Sequence, residues 1–286
     1  MSQMDIKYGN MSLLKLSKFR IKKMVDHCTI AMIAKRATGK SYLTKEILYH
    51  KRKLASIIII SLTEKLNKFY GDFVASSFIY DKFDTEILTR MFARQKKMII
   101  DNDERKRKGK PQKDTTLMLV MDDCMSDKKW VKDPNIGELF FNGRHYHVSL
   151  ILTMQYAVGI PPEMRSNLDY IFLLAEDFTN NQKKLYEHYA GMFPTLDSFK
   201  QVFSHVTCNY GVMVINNRIH SSNLTDKVFW YKAREVPEFR VGSNKYYKYH
   251  KKHYDYDWDK RTPEFNTNDL VARKKNRVNF KIKRIK

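Results

Sequence analysis

Residues 28–52 restrict this chain more than any other segment: an apolar run of strand length, a tight polar loop, then a stretch with helical spacing. The loop reads Ala34-Lys35-Arg36-Ala37-Thr38-Gly39-Lys40-Ser41 and matches G-x-x-x-x-G-K-[ST] except at its first position. Such a turn between strand and helix aims backbone N–H groups and the positive helix end at one point, which forms an anion cradle. We assign Ala34 through Tyr42 to a nucleotide's phosphates, with Gly39 permitting close approach. Lys40 is expected to bridge the β- and γ-phosphates of ATP, and the Ser41 hydroxyl to ligate Mg²⁺. Alanine at position 34 matters only if that residue needs positive φ. A Gly-Lys-Ser triplet also arises by chance in a lysine-rich chain, but the flanking strand and helix argue against accident.

The runs at residues 28–33, 55–61, 117–121, 148–154 and 170–174 are continuous rather than alternating, as in parallel strands buried on both faces. Helix-length stretches, such as residues 40–52 and 85–97, lie between them. The expected fold is α/β, a mostly parallel central sheet with helices on both faces. Residues 211–215 and 228–232 resemble an antiparallel pair extending the sheet edge. Residues 1–25 read as a lead-in segment, helix or edge strand, before an ATPase domain over 26–240. Residues 105–114, with Gly109 and Pro111, read as an exposed basic loop. The remainder, 241–286, reads as a basic aromatic C-terminal extension whose last fourteen residues hold eight Lys/Arg and no acid.

Residues 117–123 form an apolar strand ending in two carboxylates. An aspartate at such a strand end can hold Mg²⁺, a role assigned to Asp122; Asp123 then faces the attacking water as base. Two acids after a strand can also merely open a turn, and the phosphate loop tips the choice toward catalysis. The strand at 148–154 ends at Gln155, placed to sense the γ-phosphate or orient water. Arg144, or in competition Arg165, is the candidate to reach a neighbouring subunit's ATP; either could equally sit in a surface ion pair.

With 53 Lys+Arg against 31 Asp+Glu, a net charge of +22, the chain calls for a polyanionic partner. Its 43% hydrophobic content excludes a disordered polymer. No apolar run approaches the roughly 20 residues that span a bilayer, so membrane insertion is not expected, nor does the N-terminus suggest secretion. Cys28, Cys124 and Cys208 form no metal or disulfide spacing, which fits a reducing compartment.

The phosphate loop, Met121-Asp122-Asp123-Cys124, Gly143-Arg144-His145, Thr153-Met154-Gln155 and Arg165-Ser166-Asn167 occur in one order. That order resembles the poxvirus-type genome packaging ATPases of large double-stranded DNA viruses, in the FtsK–HerA superfamily. Phe229-Trp230-Tyr231-Lys232-Ala233 looks like their closing strand, and the resemblance covers roughly residues 25–235. It implies a RecA-like P-loop (ASCE) core and a homo-oligomeric ring of five or six subunits. ATP would lie at subunit interfaces, double-stranded DNA would pass through the centre, and the work would be done in the virion or host-cell cytoplasm. It also implies metal binding by Asp122, water activation by Asp123, sensing by Gln155 and an arginine in trans. Two departures stand: Ala34 replaces glycine, and Asp123 stands where the superfamily usually has glutamate. Residues 105–110 are a candidate pore element, unless merely solvated. The terminal tail could add DNA affinity or dock on capsid or portal-vertex proteins, and tyrosines 246–256 could stack on bases or pack on the core. Rival readings are a nucleotide kinase, disfavoured because no arginine cluster follows Tyr170, and a basic DNA-binding structural protein with a decayed ATPase core.

Overall fold

The computed structural model describes residues 3–8, 12–124 and 130–257; the expected basic tail at 273–286 lies outside them. In chain order, β1 (Gln3–Tyr8) and β2 (Ser12–Ser17) pair antiparallel. Then come β3 (Thr29–Ile33), α1 (Lys40–His50), β4 (Ser56–Ser61), α2 (Glu64–Asn67), β5 (Ile79–Tyr80) and α3 (Thr85–Arg107). Next are β6 (Leu117–Asp122), α4 (Pro134–Asn142), β7 (Val148–Met154), α5 (Pro162–Arg165) and β8 (Tyr170–Leu173). The described chain ends with α6 (Thr179–Tyr189), α7 (Leu196–Thr207), β9 (Gly211–Asn216), α8 (Leu224–Lys227), β10 (Val228–Lys232) and α9 (Asn244–His253).

The strands from β3 onward form one eight-stranded sheet in the order β10-β9-β8-β3-β7-β6-β4-β5. All neighbours are parallel except around β9, which runs antiparallel to β8 and β10, as the sequence pattern at 211–215 and 228–232 indicates. The apolar runs are continuous because each strand feeds two cores. On β6, Leu117, Leu119 and Met121 enter one cluster while Met118 and Val120 enter the other, all at 1% exposure or less. The lead-in segment is part strand and part helix: β2 is followed by an isolated parallel bridge from Lys18 to Trp230, where Phe19 N–H donates to the Trp230 carbonyl at 2.9 Å, and then by a 3-10 turn at Ile21–Lys23.

One expectation needs correction. Helix α3 continues ten residues past position 97, so Arg105, Lys106 and Arg107 are its last turn rather than a loop. The basic run suits a helix end, since cations there meet the negative end of the dipole. Asn102 and Lys113 exchange two hydrogen bonds of 2.8 Å that tie the short following loop back onto the helix. Between β8 and β9 the chain forms two helices, α6 and α7. Phe199, Val202, Phe203 and Val206 on α7 bury one face at helical spacing.

The turn from α7 into β9 is tight. A Cβ on Gly211 would lie 1.9 Å from the Val206 carbonyl oxygen, a backbone atom that cannot step aside. Gly211→Ala is expected to lower stability by about 2–3 kcal/mol in denaturant unfolding. An unchanged midpoint would contradict this packing.

Candidate active site

The phosphate loop follows β3 at the C-terminal edge of the parallel sheet, the end at which open α/β sheets bind ligands. Ala34 is 2% exposed, donates its N–H to the Met154 carbonyl at 2.9 Å, and is not among the residues with positive φ. Losing the motif's first glycine therefore carries no backbone strain. The left-handed positions are Gly39, at φ 96°, and Ala37, at φ 60°. Thr38 Oγ1 donates to the Lys35 carbonyl at 2.8 Å and closes the turn. Gly39 is the N-cap of α1, so Lys40 and Ser41 begin the helix with their side chains near its positive end.

Strand β7 lies between β3 and β6, so its tip, Gln155, emerges between the phosphate loop and the two acids. Lys40 Nζ lies 2.5 Å from Asp123 Oδ2 and 3.4 Å from Asp122 Oδ1. Thr153, fully buried on β7, donates to Asp122 Oδ1 at 2.5 Å and accepts from the Asp123 N–H at 3.0 Å. Asp123 has left-handed backbone, φ 52°, which costs a non-glycine residue about 1 kcal/mol or more and needs such anchoring. The buried Tyr70 phenol lies against Asp122; burial first, and that carboxylate second, push its pKa well up and keep it a hydrogen-bond donor. Beside the acids, burial pushes the Cys124 thiol up to about 12, so it is an inert core residue.

A cleft of about 710 Å³ opens over the loop, lined by Gly39, Lys40, Ser41, Asp123 and Gln155 together with Tyr210, Lys232 and Glu235. The Tyr210 ring, 65% exposed, would meet a Cβ on Gly39 at 3.6 Å. Both Asn209 and Tyr210 are left-handed, φ 50° and 61°, so strained backbone sets this ring over the loop.

The fold thus gathers Ala34, Arg36, Ala37, Gly39, Lys40, Ser41, Tyr42, Asp123 and Gln155 around one cleft, with Asp122 joined through Lys40. The Lys35 ammonium pairs with Glu176 at 2.9 Å and lies over the Phe178 ring, leaving its backbone to face the cleft. Arg165 Nη1 donates to the Ile160 carbonyl at 3.0 Å, within its own turn. Arg144 is exposed in the turn before β7, at the opposite end of the sheet, where it lines a separate cleft with Asp169 and Arg218. The length of β7 alone removes Arg144 from its own phosphate loop by about 20 Å. Tyr70 and Tyr210 escape the sequence reading, and Thr153 enters it only within a motif, with no role of its own. Thr153 has a visible trace, as a polar residue in an otherwise apolar strand end; the other two do not.

The residues fit a magnesium-bound nucleotide. Among the described residues Asp123 Oδ1 is buried and finds no hydrogen-bond donor, leaving a free acceptor beside a lysine and a helix-start serine. Ser41 and Asp122 are the residues that would hold Mg²⁺, which when bound supplies neutralisation of phosphate charge.

A family model described as Poxvirus A32 protein matches residues 16–229. An uncharacterized protein of Acanthamoeba polyphaga mimivirus is 40% identical over 277 residues, 96% of this chain and 97% of its own length. Another, from Frog virus 3 (isolate Goorha), is 33% identical over 254 residues, 87% of this chain and 76% of the relative. Among solved structures, the genome packaging NTPase of Sulfolobus turreted icosahedral virus 2, determined with sulfate, matches with a TM-score of 0.54 at 18% identity. That match covers 74% of this chain and 99% of the other, and shows a shared fold. The chain therefore belongs to the Poxvirus A32 protein family, in line with the poxvirus-type resemblance of its ordered motifs.

Proposed function

We propose that this protein hydrolyses ATP with Mg²⁺ to drive double-stranded DNA into a viral capsid, working as a homo-oligomeric ring in the virion or the host-cell cytoplasm. The observation that carries the proposal is the convergence of Lys40 on both Asp122 and Asp123 at the edge of a parallel sheet. In this reading, the loop N–H groups and Lys40 hold the β- and γ-phosphates. Asp123 takes a proton from the water that attacks the γ-phosphorus, and the bond to the β–γ bridging oxygen breaks. Gln155 orients that water. The Tyr210 ring sits beside the phosphate loop at the cleft, where a nucleoside can rest against it.

Arg144 faces away from its own site, so its catalytic use is toward a neighbouring subunit, where an arginine in trans contributes about 10³–10⁵ in rate. A translocating motor holds any sequence, which suits phosphate contacts from a chain of net charge +22. Recruitment to capsid or portal-vertex proteins belongs to the same reading.

The test is the ATPase rate of the full chain with and without double-stranded DNA across a salt series. Strong stimulation that fades steeply as salt rises is expected. Equal rates with and without duplex at every salt concentration would remove DNA from the mechanism.

A further inference from the structure

Helix α9 is built at a cost in charge repulsion that its own stability does not explain. From residue 239 to residue 254 the chain holds five Lys/Arg and no acid. Lys245, Lys248, Lys251 and Lys252 are all exposed, and among the described residues none of the four is in an ion pair. Positions 245, 248 and 252 line one face at helical spacing, so like charges stand three and four residues apart, an arrangement that destabilises a helix. Cations near the C-terminal end suit the dipole, but Lys245, two residues after the Ser243 cap, sits at the wrong end for it.

The opposite face is pinned firmly. The Tyr246 ring stacks on Phe78 at 4.3 Å and its hydroxyl donates to the Ile57 carbonyl at 3.1 Å. Tyr247 donates to the Phe73 carbonyl at 3.1 Å, and His250 Nδ1 lies 2.7 Å from Ser77 Oγ. Gly242, at φ 111°, leaves no space for a Cβ against the Tyr246 ring. Its N–H donates to the Arg52 carbonyl at 3.0 Å, which brings the exposed Lys53 turn alongside. The fold therefore holds an acid-free row of ammonium groups in place, about 10 Å long from Lys245 to Lys252.

We propose that the Lys245–Lys248–Lys251–Lys252 face of α9 binds the phosphate backbone of double-stranded DNA. Lysines on a rigid helix supply backbone contacts that carry no sequence information, as a motor requires. An anionic membrane is the poorer partner. The apolar side of α9 is already spent on the protein core, and Tyr249 is its one large exposed hydrophobic residue, so no apolar face remains to enter a bilayer. The proposal rests on the DNA reading above but is separable from it.

The experiment compares the full-length wild type with a fourfold Lys→Ala variant (Lys245, Lys248, Lys251, Lys252) and the matching fourfold Lys→Arg variant. Binding to a labelled duplex is measured over a salt series, beside ATPase rates with and without that duplex. The alanine variant is expected to keep basal ATPase activity and to bind duplex about tenfold or more weaker, with a log–log salt slope smaller by about 2–4. The arginine variant is expected to keep the wild-type slope. If wild type and alanine variant share one slope, α9 is not the contact and the proposal falls while the DNA reading stands. If the wild type binds no duplex, both fall; vesicles containing phosphatidylserine, bound by the wild type and not by the alanine variant, would then assign α9 to a membrane.

Discussion

Lys40→Ala is expected to abolish ATP turnover, lowering kcat by about 10³-fold. The side chain has two tasks, and the substitution removes both. In the proposed nucleotide complex its ammonium would meet charge that grows on the transferring phosphate. In the protein by itself it is the cation between two neighbouring carboxylates, Asp122 and Asp123, whose side chains are 14% and 25% exposed. Without Lys40 these acids face each other with Thr153 and Tyr70 as the donors beside them among the described residues, so a modest fall in unfolding stability is expected alongside the loss of rate. Lys40→Arg separates the two tasks. It keeps the charge, and with it most of the stability, but a planar fork cannot stand in for a compact ammonium, so turnover is still lost. Steady-state kinetics and denaturant unfolding on both variants check this; an alanine variant turning over within tenfold of the wild type would remove Lys40 from the chemistry.

Asp123→Asn carries the second large effect. The amide keeps the shape of the side chain but cannot accept a proton, so kcat is expected to fall by about 10²–10⁴-fold with little change in ATP affinity. Asp122→Asn is expected to act differently, raising the magnesium concentration needed for turnover before it affects the saturated rate. The contrast tests whether the two adjacent acids divide their work as the geometry suggests. Of the two acids, Asp123 has a buried oxygen without a donor among the described residues, while the Asp122 side chain is held by Thr153. Subunits carrying Asp123→Asn can also be mixed with subunits carrying Arg144→Ala. If Arg144 acts across an interface, some mixed rings combine an intact acid with an intact neighbouring arginine and recover activity. Failure of every mixture to recover would confine Arg144 to the surface.

The sheet was legible because strands buried on both faces leave unbroken apolar runs, and β3, β4, β6, β7 and β8 all have them. The phosphate loop and acid pair were legible because their residues are consecutive. What the chain hid is long-range. Tyr70 reaches Asp122 across more than fifty positions, and nothing around Phe69-Tyr70-Gly71 marks that tyrosine as different from its aromatic neighbours. Tyr210 owes its place to two left-handed residues and a glycine with no spare room, a backbone fact that composition does not carry. Helix α3 was cut short because its lysine- and arginine-rich end looks like a loop until Gln95 is seen bonded to the Thr115 and Tyr146 carbonyls, and Asn102 to Lys113. Helix α9 lacks apolar periodicity because tyrosines and a histidine, not aliphatic residues, hold it down.

Strand β7 is walled in along its whole length, with all seven residues buried and a parallel neighbour on each side. A rod so confined can slide or tilt with the sheet but has no slack in which to bend. Its leading end carries Gln155, which lines the cleft over the loop, and its trailing end follows the turn of the exposed Arg144. In a closed circle of such subunits, a displacement felt at one end would be delivered at the other. Each firing site would then hand its state to the next through a single stiff member.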